Sequence, residues 1–185
     1  MTRSTKQQAK QQDSKTAIAR QLLFKVNLRQ LMFATIMGSL ALVVRNVGLF
    51  IMVYPPFRID PRWIFSLLGA CWTGPAGGLI TGVLAAWHPP YPQADLACIP
   101  VHFIIGLTSS LLIQHNQRRL FSCFLWPILG VPLYMLTFSV FYSPPVAIIY
   151  VPVVAFIGVT TSILAFVVGL LVEKRARPLL NLLHT

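Results

Sequence analysis

Few residues of this chain have types that could do chemistry, and most lie in or beside apolar runs. Arg45 and Asn46 fall about two thirds of the way along the run from Leu31 to Val53. A guanidinium at that depth is costly unless it meets protein, water or a counter-charge, which makes Arg45 a functional candidate. Asp60 or Asp95 can supply the counter-charge. Snorkelling is the competing reading, since Val53 is only about two turns further on. His102, early in a later run, offers a neutral imidazole to a ligand or to a neighbouring helix. Asp95, Cys98 and His102 follow one another at i, i+3 and i+7, with His88 across the preceding loop. Those are metal-ligand types, but Pro100 disturbs the helix start and no HxxH or HExxH cluster supports them, so neither a metal nor another cofactor is expected. The chain has no GxSxG or HExxH signature and no GxxxxGK[ST] phosphate loop, and the expectation is a protein that is not an enzyme.

Three segments couple a diproline to aromatics: Tyr54-Pro55-Pro56-Phe57, Trp87-His88-Pro89-Pro90-Tyr91-Pro92 and Tyr142-Ser143-Pro144-Pro145. Proline restricts its own φ and the residue before it, so three stiff loops are expected to meet on one face. Tyr54, Trp87, Tyr91 and Tyr142 then offer flat surfaces to a heterocyclic solute, with Arg45, Asn46, His88 and His102 as polar partners. The interfacial aromatic belt of any membrane protein accounts for the same aromatics singly.

The elements that position these residues follow from composition. Of 185 residues, 56% are hydrophobic and 10% charged. A soluble domain carries about a quarter charged residues, so the balance indicates a multi-pass membrane protein. Apolar runs cover Leu31 to Val53, Trp63 to Trp87, Ala97 to Ile113, Leu120 to Phe141 and Val146 to Val172. The second is broken at Thr73-Gly74-Pro75, residues that end and restart helices. Read as one span, it leaves Lys and Arg evenly divided between the two sides. Read as a hairpin, it places the seven of the N-terminal tail, Arg118, Arg119, Lys174, Arg175 and Arg177 on one side, against Arg58 and Arg62 on the other. The positive-inside rule selects the hairpin.

The expected fold is therefore an all-α integral membrane protein of six helical segments, near 31–53, 60–72, 75–88, 97–114, 120–142 and 147–173. The second and third are short and form a Gly-Pro hairpin, and both termini are cytoplasmic. Residues 1–29 form a basic tail, with Ile18, Leu22 and Val26 on one helical face; 30–174 form the membrane domain; 175–185 form a short tail, with Pro178 ending the last helix. The +11 charge thus orients the chain in a cell membrane, and no nucleic-acid motif accompanies it. Cys71, Cys98 and Cys123 are scattered in apolar stretches and read as small hydrophobes. Ala34 and Gly38, at i and i+4 with Leu42 following, form a small-residue stripe that fits either a partner helix or this protein's own helices.

The segment from Ile59 through Gly69-Ala-Cys-Trp-Thr-Gly74-Pro75-Ala-Gly77-Gly78 to Gly82 resembles the second and third helices of substrate-binding S components of energy-coupling factor (ECF) transporters. His102-Phe-Ile-Ile-Gly106-Leu resembles their fourth helix, and Ala34-x-x-x-Gly38 their docking motif on the first. The likeness covers most of residues 30 to 173. It implies an outward pocket for a vitamin or similar solute, together with a membrane scaffold subunit and two cytoplasmic ATPases that dock on the Ala34, Gly38 and Leu42 face. The same Gly-Pro hairpin also resembles the membrane domain of LytS-type sensor kinases, which implies a sensory or structural role without transport.

Overall fold

A computed structural model describes residues 27–54, 57–87, 95–115 and 118–181. The basic tail with its candidate amphipathic face lies outside them, as do His88 and Tyr91.

Helix α1 spans Leu28–Val47, and Asn27 caps it by accepting the Arg29 N–H. It ends six residues before the expected boundary. Gly48 adopts φ 73°, and the N–H groups of Gly48 and Leu49 return to the carbonyls of Arg45 and Val44. That double closure is a Schellman stop, which needs a residue tolerant of the left-handed region. The apolar stretch beyond it pairs as antiparallel strands, β1 (Ile51–Tyr54) with β2 (Phe57–Ile59). The chain is mostly helical as expected, and this short hairpin is the exception: a short apolar run with β-branched residues suits strand as well as helix, and periodicity alone does not separate them.

Helix α2 covers Arg62–Ala86, with Asp60 Oδ1 accepting the Arg62 N–H at its start. Gly74 interrupts it at φ 75°, ψ −164°. A straight helix would hold Gly69 and Thr81 about 18 Å apart, and Arg62 and Ala85 about 34 Å apart. Instead a Cβ placed on Gly69 would lie 2.6 Å from Thr81 Cγ2. Arg62 Nη1 also donates to the Ala85 carbonyl at 3.2 Å. The chain therefore folds back at Gly74, and two arms of about a dozen residues run side by side. Glycine tolerates the positive φ, and Pro75 keeps the residue before it out of the α region.

Helix α3 (Cys98–Gln114) follows, then a 3-10 turn at Arg119–Phe124, α4 (Leu125–Phe141) and α5 (Pro144–Asn181). Pro144 and Pro145 belong to the first turn of α5 and do not extend a stiff loop; the missing N–H of a proline is no loss there. Pro178 does not end the helix. The chain bends at Ala176 (φ −109°, ψ 19°) and winds on to Asn181, so the proline falls where a fresh helical turn begins.

Helix α2 is the centre of the molecule and packs most extensively on α1 and α3. Of its most apolar window 67% is buried, against 17% for α1. Gly38 of α1 lies against Thr81 and Leu84, and Gly78 against the His102 backbone of α3. Large apolar side chains instead cover the outside: Met32, Ile36, Leu40 and Val43 on α1, Ile128, Leu136 and Val140 on α4, Ile163, Val167 and Leu171 on α5. Asp60, Arg62, Ser66, Asp95 and His102 are buried within. An apolar coat around a polar interior suits lipid as solvent. By residue count and composition four helical stretches are long and apolar enough to cross a membrane, Leu28–Val47, Arg62–Ala86, Arg119–Phe141 and Pro144–Ala176, although Arg62–Ala86 is folded back at Gly74 into two shorter arms. The chain is thus compatible with a multi-pass membrane protein.

Two poles result. At one, Phe33 of α1 meets Trp72 beside the reversal, Gly106 of α3 approaches the Gly74 carbonyl, and Trp72 and Arg119 both donate to Glu173 of α5. At the other lie the end of α1, the β-hairpin, Arg62, Ala85 and Asp95.

Candidate functional site

The second pole holds an ionic cluster assembled from three separate stretches of chain. Arg45 comes from the last turn of α1, Asp60 from the turn after β2, Arg62 from the first turn of α2 and Asp95 from the approach to α3. Asp60 is placed by its own capping bond, and the Asp60-Pro61 pair starts α2 so that Arg62 points inward. The guanidinium is held on several sides. Its Nε lies 2.9 Å from Asp60 Oδ2 and its Nη1 2.8 Å from Asp95 Oδ2. Its Cζ sits 4.0 Å from the centre of the Trp63 ring. Arg45 Nη1 reaches Asp60 Oδ2 at 3.4 Å. Two cations thus face two anions, and the cluster carries no formal charge.

Tyr134 of α4 closes the cluster by donating its hydroxyl proton to Asp95 Oδ1 at 2.6 Å. That proton being committed, Cys98 Sγ, 2.8 Å away, donates to the Tyr134 oxygen. Burial raises the Asp95 pKa, but the Arg62 charge and the hydrogen bonds from Arg62 and Tyr134 outweigh it, and the carboxyl is held below its ordinary value.

His102 lies one layer deeper. Its Nδ1 is 2.7 Å from the Cys98 carbonyl, which can only accept, so Nδ1 carries the proton; Nε2 is 2.9 Å from Ser66 Oγ. The ring stacks on Trp63 with centroids 5.8 Å apart. Both ring nitrogens are used by the protein, and the imidazole is a satisfied packing group.

Of the other expected binding residues, the described side chains of Asn46, Trp87 and Tyr142 lie outside the cluster, and His88 and Tyr91 fall outside the described residues. Asn46 is exposed and donates to the Leu42 carbonyl. Trp87 is 65% exposed at the end of α2. Tyr142 is exposed and stacks on Phe138 at 5.3 Å, and Tyr54 ends β1. Of the expected partner stripe, Ala34 and Gly38 are covered by the return arm of α2, and Leu42 is half-buried. This protein's own helix takes the place of a partner because only small residues let the backbones approach so closely. Asp95, Cys98 and His102 each have protein partners, and no group of three potential metal ligands occurs among the described residues.

No protein-family model, curated protein or solved structure matches this chain.

The residue missed by sequence reading is Tyr134. Lying between apolar residues of α4 it has no local signal, yet it belongs both to the cluster and to a closed apolar crevice between α4 and α5. Met135, Phe138, Ala147 and Tyr150 also line the crevice, with Phe138 and Tyr150 stacked 5.5 Å apart at 12°. As it stands the crevice has no free volume for even a water molecule, so α4 and α5 would have to part for a ligand to enter it.

Proposed function

We propose that this chain is the solute-binding membrane subunit of an uptake transporter of the ECF type. Six helical segments cross or enter the cell membrane, with both termini and the Gly74 reversal on the cytoplasmic side. The ionic cluster then lies at the outer end, and a small uncharged heterocycle, a vitamin or a compound like it, binds between the cluster and the aromatic crevice.

One observation carries the reading: the ionic cluster and the aromatic crevice share Tyr134. A chain with only four acidic residues commits two of them to this cluster. Taking such ions out of water costs several kcal/mol each, and an apolar core of the same shape would hold the fold as well. Ionisable groups kept inside a membrane domain mark functional sites by default. A flat solute would enter by parting the Phe138 and Tyr150 rings from their 5.5 Å stack, and the remaining lone pair of the Tyr134 oxygen would accept one hydrogen bond from it. Since the cluster is already neutral, an uncharged solute enters without leaving a buried charge unpaired.

Transport energy would come from a scaffold subunit and two ATPases, because the sequence has no nucleotide-binding loop of its own. With Ala34 and Gly38 covered, the scaffold would meet the exposed Met32, Ile36, Leu40 and Val43 face of α1.

Native mass spectrometry of the detergent-purified protein tests the proposal. The expected result is a retained small heterocycle that Tyr134→Phe weakens at least tenfold while the variant stays monodisperse. A folded protein that retains nothing, responds to no member of a broad vitamin screen and co-purifies with no ATPase would overturn it.

A further inference from the structure

Cys71, on the first arm of α2, and Cys123, in the 3-10 turn, are far apart in sequence, yet their sulfurs lie 3.3 Å from each other. Both thiols are buried, while Cys98 sits at the opposite pole against Tyr134. Ser122 orders the pair. Its hydroxyl donates its one proton to the Arg119 carbonyl at 2.7 Å, so its oxygen, 3.1 Å from Cys71 Sγ, accepts the Cys71 thiol proton. The Cys123 thiol is left to donate to Cys71 Sγ, which fixes the two sulfurs face to face. A disulfide needs about 2.05 Å, and closing the observed spacing to that length takes a shift of little more than an ångström. The 3-10 turn that carries Cys123 has poorer hydrogen-bond geometry than an α-helix, and since both thiols are buried a small reagent would reach them through local opening of that turn.

We propose that Cys71 and Cys123 form a thiol-modification site, which a hydroperoxide oxidises to a disulfide tying the first arm of α2 to the turn before α4. The Cys71 thiol gives up its proton as its sulfur attacks one peroxide oxygen, the O–O bond breaks, and the departing oxygen takes up that proton. Cys71 becomes a sulfenic acid, and the other oxygen leaves as an alcohol or, from hydrogen peroxide, as water. The Cys123 sulfur then attacks the Cys71 sulfur; the S–S bond forms, and the sulfenic oxygen leaves as water with the Cys123 proton. Two thiols give up two electrons, and the peroxide takes them. The bond fixes the turn that carries Arg119, whose partner Glu173 also accepts from Trp72 beside the reversal. Oxidation thus stiffens the Gly74 pole and leaves the ionic cluster untouched.

The full chain, purified in detergent with reductant and then freed of it, is treated with hydrogen peroxide, denatured and exposed to a maleimide. Of the three thiols, one, Cys98, is expected to label. The intact mass before labelling should fall by about 2 Da, for the two hydrogens lost. Peptide mapping should join Cys71 to Cys123, and Cys98→Ser should form the same link with no thiol left to label. Three labelled thiols at peroxide levels that oxidise the denatured chain, or a link that includes Cys98 or joins two chains, would overturn the assignment. Loss of the link in Cys71→Ser and Cys123→Ser, with Cys98→Ser as the folded control, supports it.

Discussion

Arg62 is the residue on which the cluster depends. Its Nε and Nη1 reach two carboxylates in different directions, which a planar fork can do and a single ammonium cannot. Arg62→Lys should therefore behave as a broken buried pair, losing about 3 to 5 kcal/mol and lowering the unfolding temperature in detergent as Arg62→Met does. Equal melting of Arg62→Lys and the parent would show that the second carboxylate is not bound. Asp95 predicts a pH dependence. Its folded pKa lies below the ordinary 3.8, so the folded state favours the ionised form. The stability this gives is complete well above pH 3.8 and drains away as the pH falls through the lower folded value. Thermal stability should be insensitive to Asp95 titration near neutrality and decline below about pH 4, and Asp95→Asn should flatten that acid limb while starting from a lower plateau. Arg45, Asp60 and Asp95 are legible in the sequence because charge is so scarce there, whereas Arg62 counts there only toward the balance of positive charge. Tyr134 is not, since its role depends on where α4 lies against α3.

At the scale of elements, the reversal in α2 positions both the cluster and the thiol pair. Gly74-Pro75 marks the break in the sequence, and the doubling of the arms is visible in the contacts of Gly69 with Thr81 and of Arg62 with Ala85. Two glycine substitutions separate backbone strain from close packing. Gly48 has a positive φ and open space around it, so Gly48→Ala should cost only about 1 kcal/mol for its left-handed conformation. Gly78 lies where a Cβ would meet the backbone carbonyl of His102, which cannot swing away. Gly78→Ala should therefore lose several times as much, since α3 must shift from the return arm. Thermal unfolding of the two variants in the same detergent checks the ratio, and equal losses would mean that the arm and α3 are not in close contact. Other boundaries were not legible. Ile51 to Val53 reads as the end of a helix, and the Gly48 stop makes it a strand. Pro144-Pro145 reads as a loop and starts α5.

At the scale of the whole molecule, the described helices place the N-terminal end of α1, the reversal, Arg119 and Glu173 at one pole. With lipid around the exposed apolar faces, that arrangement predicts the membrane orientation. A reporter active only in the cytoplasm should work when fused after Thr185 and fail when inserted between Trp87 and Asp95. Activity at both positions would overturn the six-segment topology. The distribution of Lys and Arg points the same way, because a charge that must stay in water fixes the side on which its loop lies.

The sequence by itself determined that the chain is mostly helical and apolar, and that its second apolar run breaks at Gly74-Pro75. Apolar content is a sum over residues, and Gly-Pro acts on the local backbone, so neither needs the fold to be known. It also marked Arg45, Asp60 and Asp95. The tertiary structure alone decided that Arg62 lies between Asp60 and Asp95, that His102 is satisfied by Ser66 and Cys98, that Gly38 faces its own chain's Thr81, and that Cys71 meets Cys123. These are distances between residues far apart in sequence, and local propensity carries no information about them until the helices have packed.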